Sequence, residues 1–267
     1  MSHFPTGIDY AERGQGQALL FVPGSFATGA GWKLVIDKLG DAYRFITTSL
    51  LGYGTTAERR PLDNATMRQQ IDVLDSVLER IAAPTHIVAH SYGGLSAVAH
   101  ALTGQNKPVS LTLVEATAFG ILRTAGENAH YAMIGAMTQV YYAEFEAGRP
   151  DAARHVIDFY GGTGAFDALP QKVRDYIVAT TPTNIRDWSS AMSFEPPLAD
   201  YAKIAVPTLV IRGGNGHPVM MRTAELLAAH VQNTRLETIE GGSHFLLATH
   251  PNELSALIAT HVAGGAS

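Results

Sequence analysis

Short apolar runs alternate along this chain with turn residues and with stretches whose apolar positions recur every three to four residues. Residues 18–22, 45–48, 85–89 and 109–114 read as buried strands, and residues 208–212 and 235–239 resume the same pattern late in the chain. Between them lie predicted helices over 32–39, 65–81, 92–102, 221–230 and 251–261. The helix over 65–81 is the plainest, with Met67, Ile71, Leu74, Val77, Leu78 and Ile81 on one stripe. Strand, turn, helix, strand is the grammar of a parallel sheet covered by helices, so the expected class is α/β.

The rhythm breaks from 117 to 202, where no strand is predicted. A long helix near 128–147 stops at Gly148, and shorter helices are expected after it, with Pro150 and Pro170 placed as first-turn prolines. A structureless loop of that length does not fit a compact domain. The expected organisation is therefore a core made of 1–116 and 203–267, with a helical cap over 117–202 inserted between its halves.

Composition narrows the function classes. Of 267 residues, 46% are apolar and 16% charged, against roughly 25% charged in an average globular chain, which argues for burial rather than disorder. The net charge is −5 and the basic residues are scattered, so no nucleic-acid partner is expected. No run approaches the ~20 apolar residues of a membrane helix, and Met1 to Pro5 lacks the opening of a signal peptide. A cytoplasmic protein without a membrane partner is the expectation. The chain has no cysteine, which removes disulfides, thiolate nucleophiles and thiolate metal sites. Its eleven histidines form no His-Glu-x-x-His pattern, and His86, His100, His230, His250 and His261 fall where packing or surface roles are the default. Neither a metal nor a cofactor is expected.

The chemistry concentrates at Ala89-His90-Ser91-Tyr92-Gly93-Gly94, between a predicted strand and a predicted helix. A nucleophile on a tight strand-to-helix turn needs small residues two positions to either side, and Ala89 and Gly93 supply them. Such a turn would expose the Ser91 hydroxyl at the carboxyl edge of the sheet and aim a helix N-terminus at the reacting group. With this elbow, the Gly7-Ile8-Asp9-Tyr10-Ala11-Glu12-Arg13-Gly14 opening and the closing helix, the whole chain resembles the α/β-hydrolase superfamily, in particular its capped, esterase-like serine hydrolases. Ala89 departs from the glycine more usual there.

The resemblance implies a Ser, acid, His triad in chain order. His244, in Gly241-Gly242-Ser243-His244-Phe245 after the last strand, stands where the family has its base. A serine hydroxyl needs such a proton acceptor at neutral pH. The backbone N–H groups of Tyr92 and Ser25 are the implied oxyanion donors, with Pro23-Gly24 in place of the usual His-Gly and Phe26 walling the pocket. The usual acid is missing, because the position for Asp after the 208–212 strand holds Gly216. Some family members carry the acid after the preceding core strand, which here ends at Glu115; Asn215 as a neutral orienter, or no third member, are the alternatives. The competing role for Glu115 is to cap the first turn of the cap or to pair with Arg123.

Among the cap's aromatic residues, most of them packing residues, Tyr141 and Trp188 are expected to face the substrate. Gly52-Tyr53-Gly54 reads as a structural turn. The expected function is hydrolysis of a small, fairly apolar ester through a Ser91 acyl-enzyme, with a small-molecule substrate as partner and a homodimer allowed. A non-catalytic ligand binder and a lyase or perhydrolase on the same scaffold are the competing readings.

Overall fold

A computed structural model describes residues 7–264; the Met1 to Pro5 opening discussed above lies outside them. Seven strands form one sheet in the order β1-β3-β2-β4-β5-β6-β7. β1 (Tyr10–Gly14) runs antiparallel to β3 (Tyr43–Thr48). The rest is parallel: β2 (Gln17–Val22), β3, β4 (Thr85–His90), β5 (Ser110–Val114), β6 (Thr208–Gly213) and β7 (Thr234–Ile239). The α/β-hydrolase fold expected from the sequence is the fold observed.

The sheet separates two apolar layers. Leu19, Phe21, Val88, Leu209 and Ile211 pack with Trp32, with α1 (Lys33–Ile36) and with α11 (Pro251–Gly264) on one face. Leu20, Ile87, Leu111, Leu113 and Val210 pack under α2 (Met67–Ile81), α3 (Tyr92–Thr103) and α9 (Pro218–His230) on the other. Burial on both faces explains why the central strands read as unbroken apolar runs. The α2 stripe predicted from spacing is the buried one, joined by Gln70, whose Oε1 accepts the Leu51 N–H.

Three elements differ from the sequence reading. β1 was not predicted, since Tyr-Ala-Glu-Arg-Gly carries no apolar run; it is an edge strand held by Glu12 pairing with Arg44 across to β3. The helix predicted over 32–39 is instead a 3₁₀ turn over Gly29–Trp32 followed by the single turn of α1, and the chain then leaves through Gly40 at φ +74°. Between β5 and β6 lie α4 (Gly120–Thr124), α5 (Asn128–Glu146), α6 (Arg154–Gly161), α7 (Ala165–Ala168), α8 (Gln171–Ser193) and a 3₁₀ turn over Leu198–Lys203. The longest of these is α8, with 23 residues, where only shorter helices were expected. Pro182 inside it removes a backbone donor and hides the helix from a propensity reading. A short α10 (Leu246–Thr249) precedes α11.

Every parallel strand ends on the same edge of the sheet. There β2 runs into Ser25, β4 into Ser91, β5 into Glu115, β6 into the Gly213–Gly216 loop and β7 into the loop carrying His244. This is the edge where open α/β sheets hold their ligands.

The glycines of the elbow are demanded by contact. A Cβ on Gly93 would lie 2.8 Å from the Val22 carbonyl oxygen and closer still to that of Pro23, and one on Gly24 would lie 2.7 Å from Ser91 Cβ. Backbone oxygens cannot turn aside as a side chain can. Gly93→Ala is therefore expected to destabilise the protein by about 2 kcal/mol or more through overpacking. Gly135→Ala, in α5 with open space around its Cβ, should stabilise by about 0.5–1 kcal/mol. Urea denaturation of the two variants beside the parent measures both, and equal effects would remove the steric argument.

Candidate active site

Ser91 sits between β4 and α3 at φ +54°, ψ −123°, a backbone conformation that costs a non-glycine residue about 1–3 kcal/mol. Neighbouring strand ends hold it there: the Ser91 N–H donates to the Val114 carbonyl at 2.9 Å, and the Ser91 carbonyl accepts the N–H of Thr117 at 3.2 Å and of Leu95 at 3.2 Å. The side chain faces a cavity and is 7% exposed.

Ser91 Oγ lies 3.0 Å from His244 Nε2, and His244 Nδ1 lies 3.2 Å from Glu115 Oε2. All three side chains are buried. Glu115 follows β5 at φ +48° and is fixed by its N–H donating to the Ile211 carbonyl at 2.8 Å. Its second oxygen, Oε1, accepts the Gly213 N–H at 2.6 Å. The buried carboxylate thus has a donor on each oxygen, as a buried charge requires.

Asn215 stands elsewhere. Its side chain donates to the Gly241 carbonyl at 3.4 Å, and its backbone N–H to the Gly242 carbonyl at 2.8 Å. The Gly213–Gly216 loop packs by backbone: a Cβ on Gly213 would meet the Gly242 carbonyl, and one on Gly216 would lie 3.7 Å from Glu115 Oε1. A side chain rooted at Gly216 would reach the space that the Glu115 carboxylate occupies. Arg123 pairs with Glu195 and not with Glu115.

Two further groups brace His244. The Tyr160 ring of α6 stacks on the imidazole with centroids 3.9 Å apart and planes 9° apart. His90, just before Ser91, places Nε2 2.9 Å from the His244 carbonyl oxygen. Burial, and then the neighbouring His244, lower the His90 pKa to about 3 against the pull of that hydrogen bond, so the ring is neutral and donates through Nε2–H.

The cavity over Ser91 measures about 280 Å³. That is the lower end of the range for small-molecule sites, roughly 300–1,000 Å³. Val156, Ile157, Leu169, Val173, Ile177 and Trp188 line its outer wall; Ser25, Phe26, Ser91, Tyr92 and His244 line its floor. Trp188 donates its indole N–H to Thr138 at 2.7 Å and packs against Phe119. Tyr141, expected to face substrate, is fully buried behind this wall. Its hydroxyl donates to Asn184 Oδ1 at 2.8 Å and its ring meets Trp188 edge-on, so it supports the lining without belonging to it.

The sequence reading missed four residues of the site region: Tyr160, Asn184, Asp187 and Arg60. Asn184 and Asp187 line the cavity from α8, and Asp187 pairs with the buried Arg60 at 2.7 Å. A helical wheel could have found them, since Ile177, Thr181, Asn184, Asp187, Trp188 and Ala191 share one buried face, on which an acid is out of place. Tyr160 carries no such signal. Among the described residues no group of three or more His, Asp or Glu side chains could hold a metal ion, and no helix is long and apolar enough to cross a membrane.

Comparison with known proteins bears on the whole chain. The dihydrolipoyllysine-residue acetyltransferase component of the acetoin cleaving system from Cupriavidus necator is 29% identical over 42% of this chain, and the chain spans only 30% of that relative's length. The pimeloyl-[acyl-carrier protein] methyl ester esterase of Neisseria meningitidis serogroup B (strain MC58) is 28% identical over 86% of this chain and 87% of its own. A thermophilic esterase from Thermogutta terrifontis, solved with malate bound, superposes with a TM-score of 0.75 at 20% identity, covering 97% of this chain and 94% of that one, a likeness of fold. The description "Alpha/beta hydrolase family" matches residues 19–257, from the first central strand into the last helix, and by that extent the chain belongs to the α/β hydrolase family of enzymes.

Proposed function

We propose that the protein hydrolyses small, uncharged, mainly apolar esters through a covalent Ser91 acyl-enzyme. The observation that carries this reading is the hydrogen-bonded line from Ser91 Oγ through His244 to Glu115, opening into an apolar cavity. His244 Nε2 takes the Ser91 proton as Oγ bonds to the ester carbonyl carbon, while Glu115 holds Nδ1–H and stabilises the imidazolium. The oxyanion formed is received by the backbone N–H groups of Tyr92 and Ser25. Tyr92 opens α3, where first-turn N–H groups have no intrahelical acceptor. His244 then protonates the departing alcohol, and a water activated by the same imidazole releases the acid.

The cavity lining favours an uncharged substrate. Among the described residues no lysine or arginine side chain lines it, and Arg123 is exposed and engaged by Glu195. The Neisseria relative is named for a methyl ester, which supports ester chemistry here. The acid is read as Glu115, because its carboxylate reaches His244 and the Asn215 amide does not.

Ser91→Ala should reduce turnover of p-nitrophenyl butyrate by at least about 10⁴-fold. Glu115→Gln, which keeps the shape and loses the charge, should cost on the order of 10³–10⁴-fold, while Asn215→Ala stays within a few-fold. Esterase assays with a fluorophosphonate label on Ser91 read this directly. A large loss confined to Asn215→Ala would transfer the acid's role, and an unlabelled parent protein would favour a ligand binder. Product analysis separates lyase or perhydrolase chemistry.

The neutral His90 generates a pH dependence. Its pKa is near 3 in the folded protein and about 6.5 when unfolded, so between these values the unfolded chain binds the extra proton and stability falls as pH is lowered. At pH 5.5 this amounts to about 1.4 kcal/mol relative to pH 8. The stability difference between the parent and His90→Gln should therefore shrink by that amount from pH 8 to 5.5 in urea denaturation. A difference independent of pH would mean that His90 titrates normally.

A further inference from the structure

One turn of α8 reaches both residues read as oxyanion donors. Asp187 Oδ2 accepts the Ser25 hydroxyl at 2.6 Å, and Ser190 Oγ lies 2.6 Å from the Tyr92 phenol. The same Asp187 oxygen accepts the Tyr53 hydroxyl at 2.7 Å, so Ser25 and Tyr53 share one acceptor. Phe26 stands at φ +58°, a left-handed conformation that a bulky residue holds only when its surroundings impose it.

A buried cation completes the cluster. Arg60, with no side-chain exposure, donates to Asp187 Oδ1 at 2.7 Å and to the Tyr92 hydroxyl at 3.3 Å. Glu58 neutralises its other side at 2.8 Å. The Asp187 carboxylate is 1% exposed and already accepts three hydrogen bonds, so it has little left to offer a substrate. An ion pair this deep costs desolvation, and replacing such pairs by apolar residues is often neutral or stabilising, so packing alone does not account for it.

We propose that Asp187 is a positioning residue: by clamping Ser25 it sets the N–H of the oxyanion loop, so that docking of α8 and assembly of the oxyanion hole are one event. The proposal rests on the reading of Ser25 and Tyr92 as oxyanion donors to a Ser91-bound intermediate. Asp187 touches no reacting atom. It acts through the Ser25 hydroxyl, and its influence falls on the transition state, where the oxyanion exists, more than on ground-state binding.

The test compares Asp187→Asn, Ser25→Ala and their combination with the parent enzyme, using p-nitrophenyl butyrate and an alkyl trifluoromethyl ketone, whose adduct with Ser91 carries the oxyanion. Asp187→Asn should lower kcat by about 10–100-fold with KM changed less than about threefold, and weaken the ketone by the same factor as kcat. Ser25→Ala, which keeps the N–H and loses the tether, should shift kcat and the ketone together by a smaller factor. The double variant should be no worse than Asp187→Asn, since both substitutions break one link. A purely structural role would lower the melting temperature or raise KM and leave the ketone's affinity relative to substrate unchanged; that result overturns the proposal, as do multiplicative losses in the double variant. Should Asp187→Asn fail to fold, Ser25→Ala decides, and its full kcat with full ketone affinity would overturn the clamp. A parent enzyme that takes no fluorophosphonate on Ser91 sinks the underlying reading instead, whereas a labelled parent with an unaffected Asp187→Asn sinks the clamp alone.

Discussion

The strained turn at Ser91 is the constraint on which the rest of the structure depends. A serine at φ +54° does not stay there by itself; it is held because β4 lies between β2 and β5, with hydrogen bonds to β5 and its continuation fixing the turn on one side. On the other side Gly24 and Gly93 allow the Pro23 loop and the start of α3 to close around it without a side chain between them. Parallel pairing brings the ends of β2, β5, β6 and β7 to the same edge, so the groups that use Ser91 need only short excursions to reach it. The sheet sets the location, and the elbow sets the direction.

Moving the carboxylate to the end of β5 follows from the same geometry. Glu115 starts one strand nearer the nucleophile than the Gly213–Gly216 loop does, and its longer side chain crosses to His244 while its other oxygen takes the Gly213 N–H. Once that space is filled, the later loop has no need of a side chain, and its glycines press their backbone against the loop that carries His244. The run Gly213-Gly214-Asn215-Gly216 thus packs as the complement of the Glu115 side chain. Tyr160 closes the arrangement from above, stacking flat on the imidazole and covering it from solvent.

What the sequence made legible was whatever is governed by local pattern. Doubly buried strands such as Leu19 to Val22 and Ile87 to Ala89 read as apolar runs, and the α2 stripe read at once because one of its faces is buried and the other is not. The elbow was legible because its steric demands fall on residues adjacent in sequence. β1 was not, since an edge strand obtains its pairing from β3 and needs no apolar signature. Tyr141 was misjudged because three-to-four spacing shows that a residue is buried but not against which neighbour, and the difference between lining a cavity and backing it is one layer of side chains. Arg60 and Asp187 lie 127 residues apart, so no local pattern contains their pairing, although the buried face of α8 marks Asp187 as an acid out of place.

This last point bears on how cap and core divide the work. The residues read as nucleophile, base and acid, Ser91, His244 and Glu115, all follow strands of the sheet. The cap contributes a mainly apolar wall, which selects by shape and charge, and one polar turn on α8 whose donors and acceptors are directed at the loop beside the nucleophile and not at open space. A buried Arg–Asp pair is a poor source of stability but a directional one, since displacement of α8 parts the Asp187 carboxylate from Ser25, Tyr53 and Arg60 at once. Geometry around Ser25 is therefore far less tolerant of cap movement than the apolar wall is. On the proposed reading, sequence change in the wall alters which acyl group fits, while the Asp187 turn holds the Ser25 loop beneath it in place.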